Sequence, residues 1–328
     1  MRPIETILFI RTDRLGDTLM NLPAVHRLRQ GYPKSWITWM CARSVAPILQ
    51  GHPDVDEIYP IDPGRFQSEA SYRQKVRSEM RAARFDAAVV ANADKHLHWM
   101  VFSAGIPIRV GWRRKWAVLL NRTLRDDKAD AMRHETRSNL ALAGLLTGAA
   151  WDGRWDLPVS DAPRERVSAR LARDVGPNEP VVLMHPGSSR ADKCWPPDRF
   201  AELSQRIASK MRMRSILIGS AEAEPAARRI RESAPSVIDW VGATDLAELS
   251  ALLSHPSVRL LVSADSGPVH VAWLHRKPVV ALYAANVVGS DPARWGPVGS
   301  GHVVIRKDIS SITTDEVFEA VQRSGEGS

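Results

Sequence analysis

The chain lacks most of the features that mark the commoner functional classes. Only two of its 328 residues are cysteine, Cys41 and Cys194, and they lie far apart, with neither metal-ligand nor redox-motif spacing. That excludes a disulfide framework and suits a reducing cytoplasm, with each thiol an inert structural one. Long apolar runs are missing too. Ile7-Leu8-Phe9-Ile10 is interrupted by Arg11 and then Asp13, and Val279 to Tyr283 falls far short of the roughly 20 residues that span a bilayer. A soluble, cytoplasmic protein is expected. There is no Gly-x-Gly-x-x-Gly and no Gly-Lys-Ser/Thr, so hydride transfer and ATP hydrolysis are disfavoured. No His/Asp/Glu cluster has convincing metal spacing, so no metal site is expected. No zinc-finger, RNP-type or basic-zipper pattern points to nucleic acid.

What is present reads as an ordinary globular composition, 44% hydrophobic and 25% charged. The length is about twice that of a usual domain, so two cores are expected. A net charge of +8 raises polyanionic partners: nucleic acid, an anionic membrane face, or phosphorylated substrates. The densest basic stretch runs from Arg109 through Arg113, Arg114 and Lys115 to Arg122 and Arg125, interleaved with Trp112 and Trp116. It reads as a solvated helix-and-loop surface. The same stretch could meet the anionic inner face of the cytoplasmic membrane, whereas no nucleic acid partner is expected.

Short β-branched runs alternate with helix-period segments throughout, the pattern of parallel sheets covered by helices. Strands are expected at Ile7-Ile10, Trp36-Met40, Glu57-Tyr59 and Ala87-Ala91, then at Val181-Met184, Ser215-Ile218, Leu260-Val262, Val279-Tyr283 and Val303-Ile305. Each half looks like its own doubly wound α/β domain, covering 1–160 and 181–312. The proline-bracketed segment between them, within Trp155 to Pro180, contains a short charged helix and is expected to hold the hinge, with 161–180 as linker. The last stretch, 313–328, is expected to be a helix that packs on either lobe, including back onto the first.

Three strand-end motifs carry the chemistry. Arg11-Thr12-Asp13-Arg14-Leu15-Gly16-Asp17 follows the first strand, and in open parallel sheets ligands sit beyond the carboxyl ends of strands. Asp17 alone reads equally as a helix N-cap, and Pro23 downstream predicts a kink or restart. His185-Pro186-Gly187-Ser188-Ser189 with Lys193 offers backbone and hydroxyl donors plus a point charge, as a phosphate requires. Asp265-Ser266-Gly267-Pro268-Val269-His270 opens a helix whose positive end favours a diphosphate. His270 either shares that site or fills the helix. Two anion sites in one half and a carboxylate in the other are hard to explain as separate caps.

In this order the residues resemble the heptosyltransferases of lipopolysaccharide core synthesis, glycosyltransferase family 9. The likeness covers Leu15-Gly16-Asp17, Leu22-Pro23-Ala24, Gly51-His52-Pro53-Asp54, His185-Pro186-Gly187, Lys193 with Trp195-Pro196, Asp265-Ser266-Gly267-Pro268, and Asp291-Pro292 with Arg294-Trp295-Gly296-Pro297. The resemblance implies a GT-B architecture, two Rossmann-like domains facing across a cleft, the first binding acceptor and the second the nucleotide sugar. It implies an inverting, metal-independent transfer from ADP-heptose to a hydroxyl of a lipid-linked anionic glycan, without a further cofactor. By the same carry-over Asp17 is the general base. Lys193, Ser266 and Gly267 meet the diphosphate, with Ser188 and Ser189 in support, and Asp265 meets the donor sugar. Glu222 or Glu224 contacts the ribose, Thr244 lies where adenine is held, and Arg11 and Arg14 line the acceptor side. A helix N-terminus should keep Asp17 ionised. The sequence departs from the family after Tyr283, where Ala284-Ala285-Asn286 and an insertion-like Val287 to Ser290 precede Asp291-Pro292. Another nucleotide sugar, or a non-catalytic nucleotide-binding scaffold, are the alternatives.

Overall fold

The computed structural model describes residues 3–126, 133–188 and 190–325. The chain forms two compact units, Met1–Pro158 and Val159–Ser328, each built on one six-stranded sheet. In the first, β1 (Thr6–Arg11), β2 (Trp36–Ala42), β3 (Glu57–Ile61), β4 (Ala87–Val90), β5 (Ile108–Trp112) and β6 (Arg122–Leu124) lie in the order β3-β2-β1-β4-β5-β6. In the second, β7 (Val181–His185), β8 (Arg214–Leu217), β9 (Ile238–Asp239), β10 (Val258–Ala264), β11 (Val279–Ala284) and β12 (Val303–Lys307) lie in the order β12-β11-β10-β7-β8-β9. Every pairing is parallel. Read from β9, the second order is the first one over again.

That order fixes where ligands can bind. The strand sequence reverses direction between β1 and β4 in one unit and between β7 and β10 in the other, and the crevice opens beyond the carboxyl ends at such a reversal. The central strands are apolar on both faces, as burial under helices on each side requires. Ile7, Leu8, Phe9 and Ile10 are all at most 1% exposed. The core of the second unit adds Trp195, which packs edge-on against Phe200 and donates its indole N–H to the Ile312 carbonyl at 2.9 Å.

Local chemistry explains the element boundaries. After β1 the chain makes a short helix, Leu15–Leu19, and a second, Leu22–Gly31, with Pro23 in its first turn. This is the restart predicted from Pro23, whose missing N–H is harmless only there. The Asn21 side chain donates to the Asp17 carbonyl at 2.7 Å and so occupies an acceptor that the broken helix frees. Helix Leu246–Ser254 begins on a reciprocal cap between Asp245 and Glu248.

Two expectations are corrected and one open choice is decided. Residues 161–180 do not stand apart as a linker: the charged helix expected there, Asp161–Asp174, belongs to the second unit. There Arg166 pairs with Glu248 at 2.7 Å, and Asp174 accepts the Trp240 indole N–H at 2.9 Å. The C-terminal helix, Thr314–Gly325, packs on the second unit, where Val317, Ala320 and Val321 join its core. The basic stretch Arg109–Arg125 holds strands β5 and β6, with Trp112 buried inside. Its positive charge hid the apolar alternation.

The Trp112 indole N–H donates to the Ala91 carbonyl at 3.0 Å. Trp112→Phe removes that bond and leaves a void. It should cost about 1–3 kcal/mol, measured as a lower urea midpoint with an unchanged slope.

Candidate functional site

At the first reversal, β1 ends on Arg11, which is only 5% exposed. A buried guanidinium must be paired, and Arg11 is paired several times over. Nη2 lies 2.9 Å from Asp17 Oδ1 and 3.0 Å from Asp13 Oδ2, while Nη1 lies 3.6 Å from Glu135 Oε1 and donates to the Ala91 carbonyl at 3.0 Å. Asn92, at the end of β4, closes the crevice. Its side-chain carbonyl accepts the Thr12 amide N–H at 3.0 Å and its amide donates to Asp13 at 2.6 Å. Arg11 therefore orients carboxylates from within, rather than lining an acceptor surface as the sequence suggested. Arg14 is exposed, at the start of helix Leu15–Leu19.

Asp17 sits in the first turn of that helix and is not its cap, since the cap position is Arg14. Its carboxylate is thus available for other work. Arg11 holds Oδ1, and among the described residues Oδ2 makes no hydrogen bond. Burial raises its pKa above the usual carboxylate range against the pull of Arg11, and the Asp13 and Glu135 charges raise it further. Desolvation therefore acts against the helix terminus that was expected to keep it ionised.

At the second reversal, β7 and β10 are tied by hydroxyls. His185 Nδ1 lies 3.2 Å from both Ser263 Oγ and Ser266 Oγ, and the two hydroxyls are 2.8 Å apart. Burial pulls the His185 pKa down to about 4, so the ring is neutral at pH 7. Ser266 is the N-cap of helix Gly267–Leu274 and makes no side-chain cap bond, so the first amides of that helix keep their anion-binding capacity. The turn is built close, since a Cβ at Gly187 would come within 3.1 Å of Ala223 Cβ.

Lys193 Nζ lies 2.6 Å from Asp265 Oδ2, which also accepts a hydrogen bond from Ser290 Oγ at 3.0 Å. Two residues read as separate donor contacts are therefore a pair. Ser290 belongs to the insertion-like loop and was missed. Ser188 lies in the turn after β7, whereas Ser189 falls outside the described residues. His270 is 5% exposed and its Nδ1 accepts the Trp273 indole N–H at 3.3 Å, which commits that ring nitrogen to the helix interior. Glu224 pairs with Arg231 at 2.8 Å, while Glu222 is exposed in the preceding turn and has no ion pair among the described residues. Thr244 lines a cavity of about 360 Å³ with Arg166, Arg170, Trp240 and Glu248.

Sequence reasoning also missed Asn92, Glu135 and Ser263 as site residues. Asn92 and Ser263 lie at or just past the ends of strands flanking a reversal, so the strand order would have found them. Glu135 reaches Arg11 across 124 residues and carries no local signal.

The pH dependence of the second unit follows from His185 and from His275, which burial also brings down to about 4. Unfolded, both take a proton near pH 6.5; folded, they resist it until about 4. Stability is therefore full above pH 6.5 and falls as pH drops toward 4. His185→Asn, which keeps a polar group near Nδ1, should flatten that slope in thermal melts recorded across this range.

Against known proteins, the family model for glycosyltransferase family 9 (heptosyltransferase) matches residues 73–319. Lipopolysaccharide heptosyltransferase 2 of Escherichia coli (strain K12) is 27% identical over 293 residues, covering 85% of this chain and 83% of the relative. A solved glycosyl transferase family 9 protein from Veillonella parvula superposes with a TM-score of 0.90 at 21% identity, over 100% of this chain and 99% of its own. The solved E. coli ADP-heptose LPS heptosyltransferase II gives 0.82 at 25% identity, over 98% of each chain.

Proposed function

The chain belongs to glycosyltransferase family 9, and from that premise we propose that it transfers heptose from ADP-heptose to a hydroxyl of the lipopolysaccharide inner core, in the cytoplasm, with inversion and without a metal ion. The observation that carries the reading is the state of Asp17. One oxygen is fixed by Arg11, the other is open, and the pKa is raised by burial. A general base works best when it is held in place and its pKa approaches the working pH.

In the proposed displacement the acceptor oxygen attacks the anomeric carbon, the bond from that carbon to the diphosphate breaks, and the hydroxyl proton passes to Asp17. The developing negative charge on ADP is met in the second unit. Lys193 and the open amides of helix Gly267–Leu274 supply the positive charge, and the Ser266 hydroxyl adds a donor. The diphosphate competes with Asp265 for Lys193, so donor binding releases Asp265 toward the sugar hydroxyls. Glu222, free of the pairing that engages Glu224, is the better ribose contact. A different nucleotide sugar is the second reading, favoured by Ser290, which the departing loop places on Asp265.

Purified protein should release ADP from ADP-heptose with a core acceptor, faster than nucleoside diphosphate from UDP-, GDP- or dTDP-sugars. Preference for another donor would overturn the heptose assignment. Asp17→Asn should lower kcat by about 10²–10⁴-fold with nucleotide affinity retained. Its thermal stability at neutral pH should hold or rise, because a carboxyl with a raised folded pKa gives stability that is present below its unfolded pKa and lost as pH climbs through the folded one. Lys193→Ala should weaken ADP binding, read by calorimetry, while a change in kcat alone would place Lys193 elsewhere.

A further inference from the structure

The first unit carries an exposed apolar face that the transfer site does not use. Helix Lys95–Ser103 follows β4, and the turn Ala117–Leu119 between β5 and β6 packs beside it. Trp99 and Phe102 project from the helix with ring centroids 6.0 Å apart, 48% and 44% exposed. Arg109 lies over the Phe102 ring at 5.4 Å and donates to the Leu119 carbonyl at 2.7 Å, which ties the helix to the turn. Next to it stand Trp116, 49% exposed, and Val118, 91% exposed. Four large apolar side chains this open on adjoining elements are more than scattered surface residues require.

Charge decides what fits them. From Lys95 to Arg125 the sequence has seven Lys or Arg and no Asp or Glu; Asp126, which follows, pairs with Arg114 at 3.2 Å and leaves the other cations of the stretch in excess. Lys95 stands one turn before Trp99, and Arg113, Arg114 and Lys115 are exposed immediately before Trp116. Trp99 also lines a cavity of about 300 Å³ together with Met100, Arg73, Arg77 and His96. Two copies of this face would repel each other, and a purely electrostatic contact with nucleic acid would leave Phe102 and Val118 unused. Aromatic rings that sit at headgroup depth, flanked by basic side chains, match an anionic bilayer surface.

We propose that this face docks the protein on an anionic membrane, with Trp99, Phe102, Trp116 and Val118 entering the headgroup region and Lys95, Arg113 and Lys115 meeting lipid phosphates. No helix among the described residues is long and apolar enough to cross a membrane, so the attachment is to the surface and reversible. It would hold the first unit where a lipid-linked acceptor lies. The surface argument itself does not depend on the donor or acceptor assignment.

The test is co-sedimentation of the full chain with vesicles of phosphatidylglycerol and phosphatidylethanolamine, against vesicles of phosphatidylcholine alone. Binding should require the anionic lipid and weaken with salt. Arg113→Gln with Lys115→Gln should lower the partition coefficient about 5-fold per charge removed. Trp99→Gln with Trp116→Gln should lower it at least as much, with melting temperature and ADP affinity unchanged. Brominated lipid should quench the fluorescence of the wild-type chain, a readout that needs no variant. Absence of both binding and quenching at low salt overturns the proposal. So does undiminished binding of the tryptophan variant, and so does binding to duplex DNA with none to vesicles.

Discussion

Arg11 is the point on which the first unit turns. A guanidinium at 5% exposure is costly unless it is neutralised and hydrogen-bonded, and the chain meets that demand from three directions. Asp13 and Asp17 come from the loop and helix after β1, the Ala91 carbonyl from the end of β4, and Glu135 from the start of helix Glu135–Ala143. Satisfying one cation therefore positions the crevice. The three carboxylates outnumber it, so their mutual repulsion adds to burial in raising the Asp17 pKa. The protein retains a group that is uncomfortable when ionised, which is what a proton acceptor should be.

The second unit repeats the strand order but solves a different electrostatic problem. Its strand ends are not anchored by a cation of the Arg11 kind among the described residues, and Lys193 is paired with Asp265. Instead β7 and β10 are joined through His185, Ser263 and Ser266, all neutral at pH 7 because burial holds His185 uncharged. A neutral floor leaves the field at the start of helix Gly267–Leu274 set by the helix amides and by Lys193. One architecture thus gives a carboxylate-rich reversal in the first unit and an anion-receptive one in the second.

The fold was largely legible because parallel strands buried on both faces announce themselves as apolar runs. Nine of the strands showed that signal, among them Ile7-Ile10 and Val279-Tyr283. The three that did not are β5 and β6, masked by the arginines around Trp112, and β9, only two residues long. The strand-end motifs were legible for the same topological reason, since a crevice residue must follow a strand. What stayed hidden was pairing. Nothing local says that Lys193 meets Asp265 across 72 residues, or that Arg11 is turned inward. Side-chain direction at a strand end is settled by tertiary partners, not by spacing.

The Lys193–Asp265 pair bears directly on how the site could discriminate. At 2.6 Å, with side chains 14% and 10% exposed, the pair is partly desolvated, and separating it without compensation would cost several kcal/mol. A diphosphate can compensate Lys193, but Asp265 then needs donors of its own. Ser290 gives it one, at 3.0 Å, and sugar hydroxyls would have to supply the rest. A nucleoside diphosphate alone would therefore leave Asp265 underserved, whereas a nucleotide sugar satisfies both partners at once. On the proposed donor role of Lys193 and Asp265, selection for the intact donor would follow from the pair itself, with the loop that carries Ser290 setting how much the sugar must contribute.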